Sequence, residues 1–196
     1  MAWRLIKGLN CWEIWDEKEK QEDRSLPFLS HRMAVPASFD SLTDLEAWLN
    51  ETEKKQAKNY ALRLLAGQNY PSKIFCRKLL RKGYRDNVIE EILNWVQHLN
   101  LVQDDEYLHH AIQHECGKGH GPKAIVWKLR MKGFTDEAIE KELAEIMPIE
   151  IQKESIQKFL LKHPLKGPFA KQKTIAALMR RGFSTHVIND VLRDIH

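Results

Sequence analysis

Apolar residues follow two regimes along this chain. Up to about residue 30 they come in short aromatic and β-branched bursts, and from residue 41 they recur at intervals of three and four. Trp3-Arg4-Leu5-Ile6 and Cys11-Trp12-Glu13-Ile14-Trp15 predict two short strands joined around Gly8 and Asn10. Leu26-Pro27-Phe28-Leu29 predicts a third extended piece, and the charged run from Asp16 to Arg24 an exposed loop or hairpin tip. Behind a Ser41/Asp44 start, Leu42, Leu45, Trp48 and Leu49 keep helical spacing. A charged, interrupted stretch over 51–58 leads to Tyr60, Ala61, Leu64 and Leu65, a helix stopping near Gly67. Pro71 suits the first turn of the next helix, which ends at Gly83, and another spans about Asp86 to Leu99.

The same arrangement returns twice. Asp104-Asp105 opens a helix through Tyr107, Leu108, Ala111 and Ile112; Pro122 starts a second to Lys132; a third runs to about Ile146. Ile151, Ile156, Phe159 and Leu160 mark a helix ended by His163-Pro164, followed by helices over Pro168 to Arg181 and Ser184 to Ile195. The chain therefore reads as three helix triplets with short links.

What ties the triplets together is a recurring step. Lys78-Leu79-Leu80-Arg81-Lys82-Gly83-Tyr84 returns as Lys128-Leu129-Arg130-Met131-Lys132-Gly133-Phe134 and as Ala177-Leu178-Met179-Arg180-Arg181-Gly182-Phe183. Ile89, Ile139 and Ile188 follow the glycine at one fixed distance, and Leu93, Leu143 and Leu192 at another. Such a period is the mark of stacked helical units. A glycine after the last apolar turn can enter the left-handed region, so that the following aromatic folds back: Tyr84 on Leu79, Phe134 on Leu129, Phe183 on Leu178. Asp86, Thr135 and Ser184 are the expected caps of the next helices.

The expected fold class is all-α: three tandem three-helix repeats in an elongated, curved array, with a small β-rich or mixed N-terminal extension. The expected boundaries are 1–54 for the extension and 55–100, 101–147 and 148–196 for the repeats. No run approaches a membrane span, the N-terminus lacks the apolar core of a signal peptide, and three widely spaced cysteines argue against a disulfide framework. A cytoplasmic monomer is expected. The net charge of +4 conceals a pattern: −4 over 1–54, +6 over 55–100, −3 over 101–148 and +5 over 149–196. A polyanion or acidic surface is the partner this suggests.

Basic residues crowd the second helix of each triplet. Lys73, Arg77 and Arg81 lie four apart with Lys78 and Lys82 beside them; Lys123, Lys128 and Lys132, then Lys171, Lys173, Arg180 and Arg181, are their counterparts. The residue before the glycine (Lys82, Lys132, Arg181) also has a bland role, since cations at a helix C-terminus offset its dipole. His110 and His114 have the i, i+4 spacing of metal ligands, and Cys116 and His120 could complete a tetrahedral site. That pattern lacks the glutamate of a metalloprotease helix, and solvated histidines are common, so neither metal nor cofactor is expected. Gly117-x-Gly119-x-Gly121-Pro122 could bind phosphate at a helix start, weakly so without a preceding strand. No catalytic constellation is found. Trp127, whose counterparts are Arg77 and Ala176, is placed off the shared core.

Taken together, these stretches resemble the RecX family of regulators of the RecA recombinase over about residues 57–196. The likeness rests on Ala61-Leu62-Arg63-Leu64-Leu65-Ala66 with the first glycine step, on Leu101-Val102-Gln103-Asp104-Asp105-Glu106-Tyr107-Leu108 with Gly119-His120-Gly121-Pro122-Lys123-Ala124-Ile125, and on the third step. It departs from the family at Gly67, Gln68, Pro71, Ile74 and Gln103. The resemblance implies a helical body lying in the groove of a RecA–DNA filament, blocking filament growth and suppressing ATP hydrolysis and strand exchange. It implies no catalysis by this chain, and contact with single-stranded DNA by way of the nucleoprotein filament, with direct DNA binding left open. The alternatives from the residues alone are a helical-repeat protein that binds nucleic acid directly and a metal-dependent enzyme at His110/His114.

Overall fold

The computed structural model describes residues 3–7, 12–16, 21–26, 35–36, 38–164 and 169–194. Two compact units divide the chain, Met1–Gln103 and Asp104–His196.

The first unit opens with an antiparallel sheet of β1 (Trp3–Lys7), β2 (Trp12–Asp16) and β3 (Gln21–Leu26) in the order β1-β2-β3. Leu5 pairs with Ile14 across β1 and β2, and both are buried. The third strand departs from expectation. It begins at Gln21, inside the run expected to be a loop, and shifts register between Ile14 and Trp15 of its partner. Strand pairing here overrides the charged composition that marked the run as a loop. The third extended piece expected over 26–29 lies outside the described residues beyond Leu26, as do Gly8, Asn10 and Cys11.

Helix α1 (Leu42–Gly67) is continuous for 26 residues, where the sequence predicted two helices with a break and a boundary after residue 54. Its buried stripe explains why. Leu45, Leu49, Glu53, Ala57 and Ala61 recur every fourth residue, and the single charged member is fully buried. Ser41 caps the helix by accepting the Asp44 N–H at 3.1 Å. Helices α2 (Ser72–Arg81) and α3 (Asp86–His98) complete the triplet. Phe75, Leu79, Tyr84, Val88, Ile92 and Val96 bury against the α1 stripe, in the same cluster as Leu5 and Ile14.

The second unit holds α4 (Asp104–Gly117), α5 (Pro122–Lys132), α6 (Asp136–Ile146), α7 (Ile149–Lys162), α8 (Ala170–Arg180) and α9 (Thr185–Arg193). One cluster runs through both of its triplets, from Leu108, Ile112, Ile125 and Leu129 to Leu178, Ile188 and Leu192.

All three glycine corners form as the spacing predicts. Gly83, Gly133 and Gly182 sit at φ 91°, 101° and 95°. The N–H of the next aromatic returns to the leucine carbonyl each time, Tyr84 to Leu79, Phe134 to Leu129 and Phe183 to Leu178, at 3.4, 3.2 and 3.2 Å. The glycine N–H closes the tighter bond to Leu80, Arg130 or Met179. These are paired bonds of a left-handed helix end, at a φ where a Cβ would be strained. Thr135 and Ser184 cap α6 and α9 through their hydroxyls, as expected. Asp86 does not cap α3. Arg85 holds that position, and its N–H is taken by Glu53 from α1 at 2.7 Å.

Candidate partner-binding surface

The second helix of each triplet presents one face to its core and another to solvent. In α2, Phe75 and Leu79 are buried while Lys73, Arg77 and Arg81 are exposed, four residues apart on the opposite side. In α5 the same register buries Ile125 and Leu129 and exposes Lys123, Trp127 and Arg130. In α8 Leu178 is buried, and Lys171, Lys173 and Arg180 are exposed. The cations expected to meet a partner fall into two groups.

Eight have neither a side-chain hydrogen bond nor an ion pair among the described residues: Lys73, Arg77, Arg81, Lys82, Lys123, Lys171, Lys173 and Arg180. Their charge is available to an incoming group. The stripe on α2 is the most regular, and no carboxylate along that helix offsets it.

The remaining four are engaged within the protein. Lys78 lies over the Tyr70 ring, 4.7 Å from its centroid. Lys132 donates to the Tyr107 hydroxyl at 2.9 Å, with that ring stacked on Phe134. Lys128 pairs with Glu115, which also takes His120 at 2.7 Å. Burial opposes ionisation of Glu115, but the hydrogen bonds from Lys128 and His120 prevail and hold its pKa at about 2.

Arg181 joins the two triplets of the second unit. Its guanidinium donates to the Lys118 and Gly119 carbonyls at 3.3 Å each and lies over the Phe159 ring. Its own carbonyl accepts from Gly121 N–H at 2.7 Å, and the Gly182 carbonyl accepts from Lys123 N–H at 3.1 Å. The glycine corner of the third repeat therefore sits on the first turn of α5. This corrects the phosphate-binding reading of Gly117-x-Gly119-x-Gly121-Pro122: backbone carbonyls already occupy donors an anion would need.

The histidine cluster is dispersed. His109 bonds Glu142 at 2.5 Å, His110 approaches Glu106 at 3.7 Å, and Cys116 packs on the Met147 sulfur at 3.6 Å. His114 is largely exposed. Among the described residues, no three His, Cys, Asp or Glu side chains converge as a metal-binding group. Trp127 lies off the core, 64% exposed.

Two residues with large structural roles have no counterpart among the residues singled out by spacing. Glu53 receives both the backbone N–H and the Nε of Arg85, while Asn50 accepts from the same guanidinium at 3.3 Å. Its place on the every-fourth-residue stripe of α1 is the one local signal of that burial. Glu115 carries none, since its closest partners, His120 and Lys128, come from beyond the next turn.

Comparison with known proteins then adds a consistent set of likenesses. Residues 57–95 match the family description of the first three-helix domain of RecX, and residues 154–192 that of its third. A regulatory protein RecX from Chlorobium limicola is 35% identical over 54 residues, 28% of this chain; the match spans about a third of that relative, 34% of its length. The crystal structure of RecX from Lactobacillus salivarius superposes with a TM-score of 0.66 at 23% identity, covering 74% of this chain and 97% of that one. A second crystal structure, of a regulatory protein RecX, gives 0.68 at 19% identity over 98% and 100%. At those identities the structural likeness carries the fold. Among the described residues no helix is long and apolar enough to cross a membrane.

Proposed function

Since the chain belongs to the RecX family, we propose that it binds the RecA nucleoprotein filament and inhibits its extension, ATPase and strand-exchange activities. The observation that carries this reading is the α2 stripe. Lys73, Arg77 and Arg81 stand exposed at helical spacing, with no side-chain bond or ion pair among the described residues. Unpaired cations on a rigid helix are placed to meet phosphates or carboxylates of a nucleoprotein surface. The other free cations, on α5 and α8, extend the same chemistry into the second unit. The chain acts by occupancy and needs no catalytic group of its own.

The test adds the purified protein to RecA on single-stranded DNA and follows ATP turnover. A dose-dependent fall is expected. The triple variant Lys73→Glu/Arg77→Glu/Arg81→Glu should raise the concentration for half-inhibition at least about tenfold, since like charges facing a complementary surface cost several kcal/mol. Its helical circular dichroism should stay intact, because none of the three is buried. Unchanged ATP turnover at several-fold excess of the parent protein refutes the proposal. Retained potency in the triple variant moves the contact off α2.

A further inference from the structure

The second unit contains a cationic cavity of about 240 Å³ where α4 ends, lined by Lys118, Lys158, Lys162, Arg181, Phe159 and Ser155. None of the eight free cations described above lines it. We propose that this cavity binds a phosphate group, either free or carried on a nucleic-acid strand.

Charge is the first argument. Two helices, α4 and α7, end here, and each C-terminus carries roughly half a negative charge. One cation would balance the two. Four line the cavity. Glu154 approaches Lys158 at 3.7 Å between exposed side chains, and Glu115 is held mainly by Lys128 and His120, with Lys118 at 3.5 Å. With the helix ends and Glu154 taken off, a surplus of about two positive charges remains, enough for a phosphate dianion or for two adjacent phosphodiesters of a strand.

Donor capacity is the second. Lys162 has no side-chain partner among the described residues. Arg181 spends one nitrogen, Nη1, on the Lys118 and Gly119 carbonyls, and its Nε and Nη2 make no bond among the described residues. Those carbonyl bonds and the Phe159 ring hold the guanidinium in place, so little entropy is lost when it engages a ligand. Lys158 and Lys162 are four apart on α7, one turn from each other on the face that carries Ser155.

The full-length protein should be titrated at low ionic strength with pyrophosphate and, separately, with a short oligothymidylate, in the absence of RecA. The RecA reading can therefore fail without touching this one, and the reverse. Lys158→Gln/Lys162→Gln removes two of the four charges without altering a buried contact, and Lys158→Arg/Lys162→Arg preserves them. Stoichiometric pyrophosphate binding, weakened about tenfold or more in the Gln pair and kept in the Arg pair, establishes a site for free phosphate. Binding of the oligothymidylate alone, with the same pattern, places the phosphate on a strand. The salt slope of log K should then become shallower by about 1.4 in the Gln pair. Binding of neither ligand, or equal affinity in parent and Gln pair, overturns the proposal. So does equal loss in the Gln and Arg pairs, which would make shape rather than charge the determinant.

Discussion

The junction between the second and third repeats rests on two glycines that leave no room for a methyl group. A Cβ on Gly121 would lie 2.6 Å from the Gly182 carbonyl carbon and 2.6 Å from the Phe183 nitrogen. One on Gly182 would lie 2.4 Å from the Ala124 nitrogen and 2.6 Å from its Cβ. The opposing atoms are chiefly backbone, so no rotamer change relieves either clash and the segments must separate. Separation stretches the Gly121 N–H to Arg181 carbonyl and Lys123 N–H to Gly182 carbonyl bonds, each contributing about 1 kcal/mol. Overpacking adds about 1–3 kcal/mol. Gly121 has an ordinary φ of −87°, so Gly121→Ala isolates this packing cost, expected at about 3 kcal/mol. Gly182→Ala adds about 1–2 kcal/mol for a side chain at φ 95°, giving about 4–5 kcal/mol. The double variant should cost little more than Gly182→Ala, because one separation relieves both clashes; a coupling of roughly 2 kcal/mol is expected. Urea denaturation followed by far-ultraviolet circular dichroism measures all three. A Gly121→Ala variant within about 0.5 kcal/mol of the parent, or strictly additive losses, would refute the close approach of these repeats.

Glu53→Ala leaves Arg85 and its N–H without their buried acceptor. It should destabilise the first unit by about 2–4 kcal/mol, tempered by the partial exposure of Arg85, and Glu53→Gln by less; equal losses in the two variants would show that charge is irrelevant there. Glu115 is held at about pKa 2, below its unfolded value, so its contribution is present above about pH 5 and is lost as pH falls towards 2. Over that range the parent should lose on the order of 2 kcal/mol more than Glu115→Gln in urea melts, and parallel pH profiles would contradict the network. Trp127→Ala, by contrast, removes an exposed ring and should shift stability by no more than about 0.5 kcal/mol; a larger loss in thermal melts would place it in a core.

Local features are legible in the sequence, and features made by distant partners are not. The corner at Leu79, Gly83 and Tyr84 is written within six residues, so its bonds and the fate of its aromatic follow from local spacing alone. Thr135 and Ser184 cap helices that start beside them, and their spacing is equally telling. Glu53 defeats the same reasoning because its partner lies 32 residues on. A glutamate in a charged run is the ordinary signal for a solvent-facing position, and pairing with Arg85 makes its burial tolerable. Gly121 misleads for the same reason. Its spacing with Gly117 and Gly119 resembles an anion loop, whereas its use is to admit the backbone of a corner formed much later in the chain.

This dependence on distant partners also separates cations that the repeat makes equivalent. Lys82, Lys132 and Arg181 all precede the corner glycine, and offsetting the helix dipole would explain each of them alike. Their surroundings differ, however. Lys82 stays exposed, Lys132 is committed to Tyr107, and Arg181 spans Phe159 and the end of α4. An aromatic or a carbonyl supplied by a neighbouring helix is what removes a cation from the proposed binding surface. A charge count per repeat therefore overstates what a partner meets in the second repeat, where Lys128 and Lys132 are engaged within the protein and Arg130 is paired with Asp136. In the first, Lys78 is held by Tyr70, but Lys73, Arg77 and Arg81 have no such neighbour among the described residues, so those three charges are on offer. Partner binding should accordingly be far more sensitive to reversals on α2 than to equal numbers of reversals among Lys128, Arg130 and Lys132, whose loss would register first as instability.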